Sequence, residues 1–344
     1  MVGLNLVAYF VAVLSTNWDI VEHIRGAVDR FWYPPHFGIY FSILVAMLVS
    51  CGGVILVLQS SGGVGEKLRH HAALLTLTLA NIISFTGAPF DAWWHQTYGI
   101  DLTAWSPPHL HLIVGFVLVM VSCSVYFLDD LPVDAGLRRI GAFNRQQMLL
   151  VYTFALALLL GTTAFFDYEL SLAGQRAGSG SISRGLAELL ARPRWSYPIV
   201  CTAFTLFMFA LCTASTRIVG LASAAAGVYT LVRLALVAVN YSWFDFHGVP
   251  FYPLVIPALV FDAALALALS RWPSGRTGLL VAGAAALATA VLIVTMPIVW
   301  SILPARPELN VQPWSTYWLA TGVAGVVFGL AGWWCGTRLR RLRP

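Results

Sequence analysis

The sequence predicts an all-α fold: a polytopic integral membrane helix bundle of about ten transmembrane helices, with a parallel internal repeat in the first four. Three observations predict it. Of 344 residues, 59% are hydrophobic and only 10% are charged, where a soluble domain carries about 25% charged residues. The mean hydropathy is +0.78. The apolar residues fall into runs of about 20, the length that crosses a bilayer as a helix. So few charges do not cover a water-facing surface, which excludes a soluble enzyme, a nucleic-acid binder and a disordered chain. The expected first partner is the lipid bilayer. Cys51, Cys123, Cys201, Cys212 and Cys335 form no CxxC motif and read as small buried hydrophobes.

The spans are expected at 3–22, 37–59, 72–94, 109–127, 148–166, 196–215, 219–240, 253–270, 278–301 and 315–335. The first has no basic leader and no clear cleavage site, so it reads as a retained span rather than a signal peptide. Pro34-Pro35 and Pro107-Pro108 set the starts of the second and fourth, since proline is at home in a first helical turn. The basic stretch Lys67–His71 precedes the third, and Arg145 the fifth. The loop 167–195 contains AGQRAGSGSISR, a flexible composition, and SRGLAELLARPRW reads as a short surface helix. It divides a first half, 1–166, from a second, 196–344.

Basic residues set the orientation, because cytoplasmic loops are enriched in Lys and Arg. Lys67, Arg69, Arg138, Arg139, Arg145, Arg217, Arg271, Arg276 and the Arg338–Arg343 tail share one side. The other side has fewer, mostly in the 167–195 loop. The N-terminus is therefore expected outside and the C-terminus in the cytoplasm, in a bacterial inner membrane. Most acids and six of the eight histidines fall on the outer side.

Two stretches there match. NWDIVEHIRGAVDRFWYPPHFG, from Asn17, aligns with PFDAWWHQTYGIDLTAWSPPHLH, from Pro89. Asp19 aligns with Asp91, His23 with His95, Asp29 with Asp101, and His36 with His109. The offset spans two helices, so the copies are parallel, an accepted membrane architecture. Within a copy, Asp and His at i and i+4 share one helix face. The Pro-Pro pair ends one segment and starts the next, whose first turn carries the second His. Asp19, His23 and His36, and likewise Asp91, His95 and His109, are thus candidate metal ligands. Imidazole with carboxylate suits Cu(II), Zn(II) and non-haem Fe(II). The bland alternative is a set of hydrogen-bonded hooks in an interfacial aromatic belt. Asp29 and Asp101 are candidates to orient a ligand histidine, or else caps. His111, about 200° around the helix from His109, and His247, in the loop after span seven, are further candidate ligands or donors.

Asp91-Ala-Trp-Trp-His95-Gln, with Asp101 and the Pro-rich approach to His109, resembles the metal-binding segment of the C subunit of copper membrane monooxygenases, the particulate methane and ammonia enzymes. Asp19, His23, Asp29 and His36 fit the same pattern, and the second copy has one extra residue before Pro107. The resemblance covers about 20 residues per copy. It implies copper at both groups, in an oxidoreductase that activates O2 against a small apolar or ammonia-like substrate, with other membrane subunits as partners.

In the second half, Arg233 and Asp262 fall inside spans seven and eight. Intramembrane ions are usually paired or functional, so a buried Arg233–Asp262 ion pair is expected. The small-residue runs 222–227 and 282–286 predict close helix packing. The leading expectation is a membrane metalloprotein of monooxygenase type. The alternatives are a transporter or metal-handling permease, which Asp262 would favour, a dihaem cytochrome, and a non-catalytic subunit of a membrane complex.

Overall fold

A computed structural model describes residues 1–24, 31–98, 106–128, 138–139, 144–163, 196–246, 251–271, 277–302 and 316–341. Its helices are α1 (Val2–Ile24), α2 (Pro34–Gln59), α3 (Val64–His70), α4 (Ala72–Tyr98), α5 (Pro107–Leu128), α6 (Arg145–Thr162), α7 (Ser196–Thr216), α8 (Leu221–Phe244), α9 (Val255–Arg271), α10 (Thr277–Ile302) and α11 (Trp318–Arg341). Among the described residues, eight are long and apolar enough to cross a membrane: α1, α2, α4, α5, α7, α8, α10 and α11. Helices also stand at the fifth and eighth expected spans, as α6 and α9. The apolar part of α9, Val255–Ala268, is shorter than a full crossing.

The chain forms two compact units. Among the described residues, one holds α1–α4 with α5 as far as Tyr126, and the other holds α6–α11. Helix α6, placed in the first half by the sequence, therefore belongs to the second unit.

In the first unit, α2 shows how its sequence sets its ends. Tyr33 is extended, as the residue before a proline must be, and Pro34 and Pro35 occupy the first turn. The chain leaves the helix at Ser60, turns through Gly62 at φ 111°, and returns as α3. Lys67 of α3 donates to the carbonyls of Leu58, at 3.0 Å, and Ser60. A cation is thus set on the negative end of α2.

The interior of this unit is polar at its centre. The Tyr9 hydroxyl lies 3.0 Å from both Asn81 Oδ1 and Ser84 Oγ. Asn81 Nδ2 donates to Asn5 Oδ1 at 2.7 Å and to Ser50 Oγ at 3.1 Å. One asparagine of α4 so ties α1 and α2 together. In a bilayer such groups find no water, so they must satisfy one another. Glycine permits close approach beside them: a Cβ on Gly38 would stand 2.3 Å from Ser15 Oγ, and one on Gly115 2.3 Å from Ser84 Oγ. The outward faces carry Leu4, Phe37, Phe41, Leu48, Leu79 and Val114, side chains suited to lipid.

In the second unit, α11 lies against α7 at Gly332 and Gly336, while Gly325 and Gly329 stand closest to Thr289 and Ala285 of α10. A Cβ on Gly332 would meet the Phe207 carbonyl oxygen at 2.2 Å, and one on Gly336 the Leu211 carbonyl oxygen at 2.7 Å. This is small-residue packing of the membrane kind. The expected runs behave likewise, with Ala222, Ala225, Ala226, Ala284 and Ala285 buried. A two-residue parallel pair, β1 (Arg138–Arg139) with β2 (Ile218–Val219), joins the segments before α6 and α8.

The expected Arg233–Asp262 ion pair is replaced by other contacts. Asp262 Oδ2 accepts the Ser223 backbone N–H at 2.8 Å and its hydroxyl at 2.6 Å. Ser223 is the third residue of α8, whose cap position is Gly220, with no side chain to cap it. The carboxylate from α9 therefore caps α8 in trans, meeting an orphan N–H and the positive end of the helix dipole. Arg233 is ten residues further on, about 15 Å along the axis. Its guanidinium lies over the Tyr252 ring, 5.7 Å from the centroid. The difference arises because Asp262 of α9 packs beside the first turn of α8, at Ser223, rather than beside its middle, where Arg233 lies.

Candidate metal centre

Asp91 and His95 lie one turn apart near the end of α4. Pro89, two residues earlier, stands inside that helix. It removes one backbone hydrogen bond and crowds the preceding turn. Pro107 and Pro108 then open α5, and His109 is its third residue, just as His36 is the third residue of α2.

The three side chains converge. His95 Nε2 is 3.3 Å from Asp91 Oδ1, and His109 Nε2 is 3.4 Å from that same oxygen. One ligand atom from each residue lies within 4.8 Å of the others. The imidazoles meet at 61° with centroids 6.1 Å apart. Asp91 is buried, at 4% exposure, and its Oδ1 accepts no hydrogen bond. A tetrahedral metal with bonds of about 2.0–2.1 Å sets its ligand atoms about 3.3–3.4 Å apart. The two His–Asp edges have that length, and the His95–His109 edge is within 4.8 Å. Two imidazoles and one carboxylate are a borderline donor set that leaves a position for an exogenous ligand.

The other carboxylate oxygen of Asp91 is occupied. Tyr40 of α2 donates its hydroxyl to Asp91 Oδ2 at 3.3 Å. The Tyr40 ring stacks on Phe31 at 5.2 Å and lies 5.6 Å from the His36 ring.

The first group is drawn together in part. His36 Nε2 lies 3.0 Å from Asp19 Oδ1, and the Tyr33 ring stands edge-on to His36. Tyr33 itself donates to Glu22 at 3.1 Å. The side chain of His23 lies outside the described residues, as do Asp29, Asp101 and His247. His111 is separate from the cluster. Its Nε2 is 3.0 Å from Thr86 Oγ1, and its ring meets Phe90 edge-on.

Tyr40 was not singled out by the sequence. Its signal was position alone, one helical turn after His36 and so on the same face. Nothing in the sequence shows that this face meets α4.

Comparison with known protein families, with characterised proteins and with solved structures gives no match.

Proposed function

We propose that this chain is a membrane metalloprotein, a copper-dependent oxidoreductase of monooxygenase type acting on a small apolar or ammonia-like substrate. The observation that carries the metal reading is the convergence of His95 Nε2 and His109 Nε2 on a buried carboxylate oxygen that accepts no hydrogen bond. Three donor atoms so gathered, each within 4.8 Å of the others, are spaced as the ligands of one metal ion are.

The parallel duplication has support in matched contacts. Asp19 with His36, and Asp91 with His109, each join an acid near a helix end to the third residue of the next helix. A second site at Asp19, His23 and His36 is part of the proposal. The bundle has about ten spans in a bacterial inner membrane, with its N-terminus outside and its C-terminus in the cytoplasm.

Copper is preferred over iron and zinc on the resemblance of the two motifs to the monooxygenase segment. A bound metal would supply an open position for O2 and a redox couple. The chain's own part is to hold the three ligand atoms of Asp91, His95 and His109 together at the junction of α4 and α5. The permease alternative has less support, because Asp262 is engaged in capping α8.

Elemental analysis of the full-length protein, purified from copper-supplemented membranes, tests the reading. Copper at one or two equivalents is expected, falling by one equivalent in His95→Ala/His109→Ala. Equal metal content in the two proteins overturns it.

A further inference from the structure

The Asp91 cluster is built by the second motif copy, yet one of its contacts comes from the first. Tyr40 follows Pro34-Pro35-His36 on α2 and reaches across to α4. Its hydroxyl meets Asp91 Oδ2 at 3.3 Å, while His95 and His109 face Oδ1. The two carboxylate oxygens are thus divided between two tasks. A carboxylate can bind a metal through one oxygen or through both, and a donor on the outer oxygen favours the first mode. The ring is itself held, stacked on Phe31 and packed beside His36. A tyrosine fixed on two sides orders its hydroxyl at little further entropic cost. The aligned position in the second copy, Ile113, carries no hydroxyl. The contact therefore runs one way, from the first copy to the second.

We infer that Tyr40 is a positioning residue for the Asp91 centre: by engaging Oδ2 it presents Oδ1 alone to a metal held with His95 and His109. The inference rests on the metal reading above. On this view the second-copy site is incomplete without the first copy. Tyr40 does not touch the metal, and acts through Asp91.

Cu(II) binding to the full-length protein in detergent, measured by competition with a chelator, tests it. Tyr40→Phe keeps the ring and its stack and removes only the hydroxyl. It is expected to weaken Cu(II) binding by about 10–100-fold, the usual effect of losing a group that orients a ligand. In an Asp91→Ala background, the same change is expected to have no further effect. An unchanged affinity in Tyr40→Phe overturns the inference, as does an undiminished loss in the Asp91→Ala background.

A second measurement needs no Tyr40 variant. Infrared difference spectra, Cu(II)-loaded minus metal-free, are expected to show the wide carboxylate splitting of one-oxygen ligation in a band that Asp91→Ala lacks. The narrow splitting of two-oxygen ligation overturns the inference while leaving the metal site standing. A wild-type protein that takes up no Cu(II) overturns the metal reading, and this inference with it.

Discussion

Asp19 Oδ1 and His36 Nε2 stand 3.0 Å apart, joining the end of α1 to the first turn of α2. Asp91 and His109 make the matching contact between α4 and α5. If both positions hold metal, Asp19→Ala/His36→Ala lowers copper content from two equivalents to one and leaves the His95–His109 centre loaded. Elemental analysis reads the stoichiometry. A double variant that keeps both equivalents shows that Asp19 and His36 are a structural hook.

Asn81 holds the polar centre of the first unit. Asn81→Leu leaves Tyr9, Asn5 and Ser50 without their shared partner. The expected loss is about 1–3 kcal/mol, given that hydrogen bonds between membrane helices are each worth about 0.6–2 kcal/mol. Unfolding of the protein in mixed micelles measures it. A midpoint equal to wild type would mean that these groups find other partners.

Asp262 stabilises the start of α8 rather than neutralising Arg233. Asp262→Ala is expected to cost about 1–2 kcal/mol, the usual effect of losing a helix cap, and Asp262→Asn less, since its carbonyl still accepts. A double-mutant cycle between Asp262 and Arg233 is expected to give a coupling below about 0.5 kcal/mol, as for sites without shared partners. A coupling of several times that value restores the ion pair.

Gly332 allows α11 to touch the α7 backbone. Gly332→Leu places a side chain where the Phe207 carbonyl stands. Overpacking of this kind costs about 1–3 kcal/mol or more. A lowered thermal midpoint in detergent is expected, and Gly322→Leu, where a Cβ meets nothing within 4 Å, is the matched control.

The sequence by itself determined the class of fold and the composition of the site. Ten percent charge and runs of about 20 apolar residues leave a membrane bundle as the outcome, because backbone groups in lipid must bond within helices. Pro34-Pro35 and Pro107-Pro108 fixed where two helices start, since proline tolerates a first turn and little else. Asp91 and His95 were legible as a pair because i and i+4 share a face. His109 was legible from the Pro107-Pro108 pair before it, which sets it in the first turn of the next helix, and from its match to His36. The tertiary structure alone decided what lies between helices. Tyr40 meets Asp91, and Asp262 meets Ser223 instead of Arg233, because helix rotation and depth set those contacts. Both depend on packing between helices distant in sequence, where a shift of one turn, about 5 Å, replaces one partner with another. Periodicity along a single helix carries no such information.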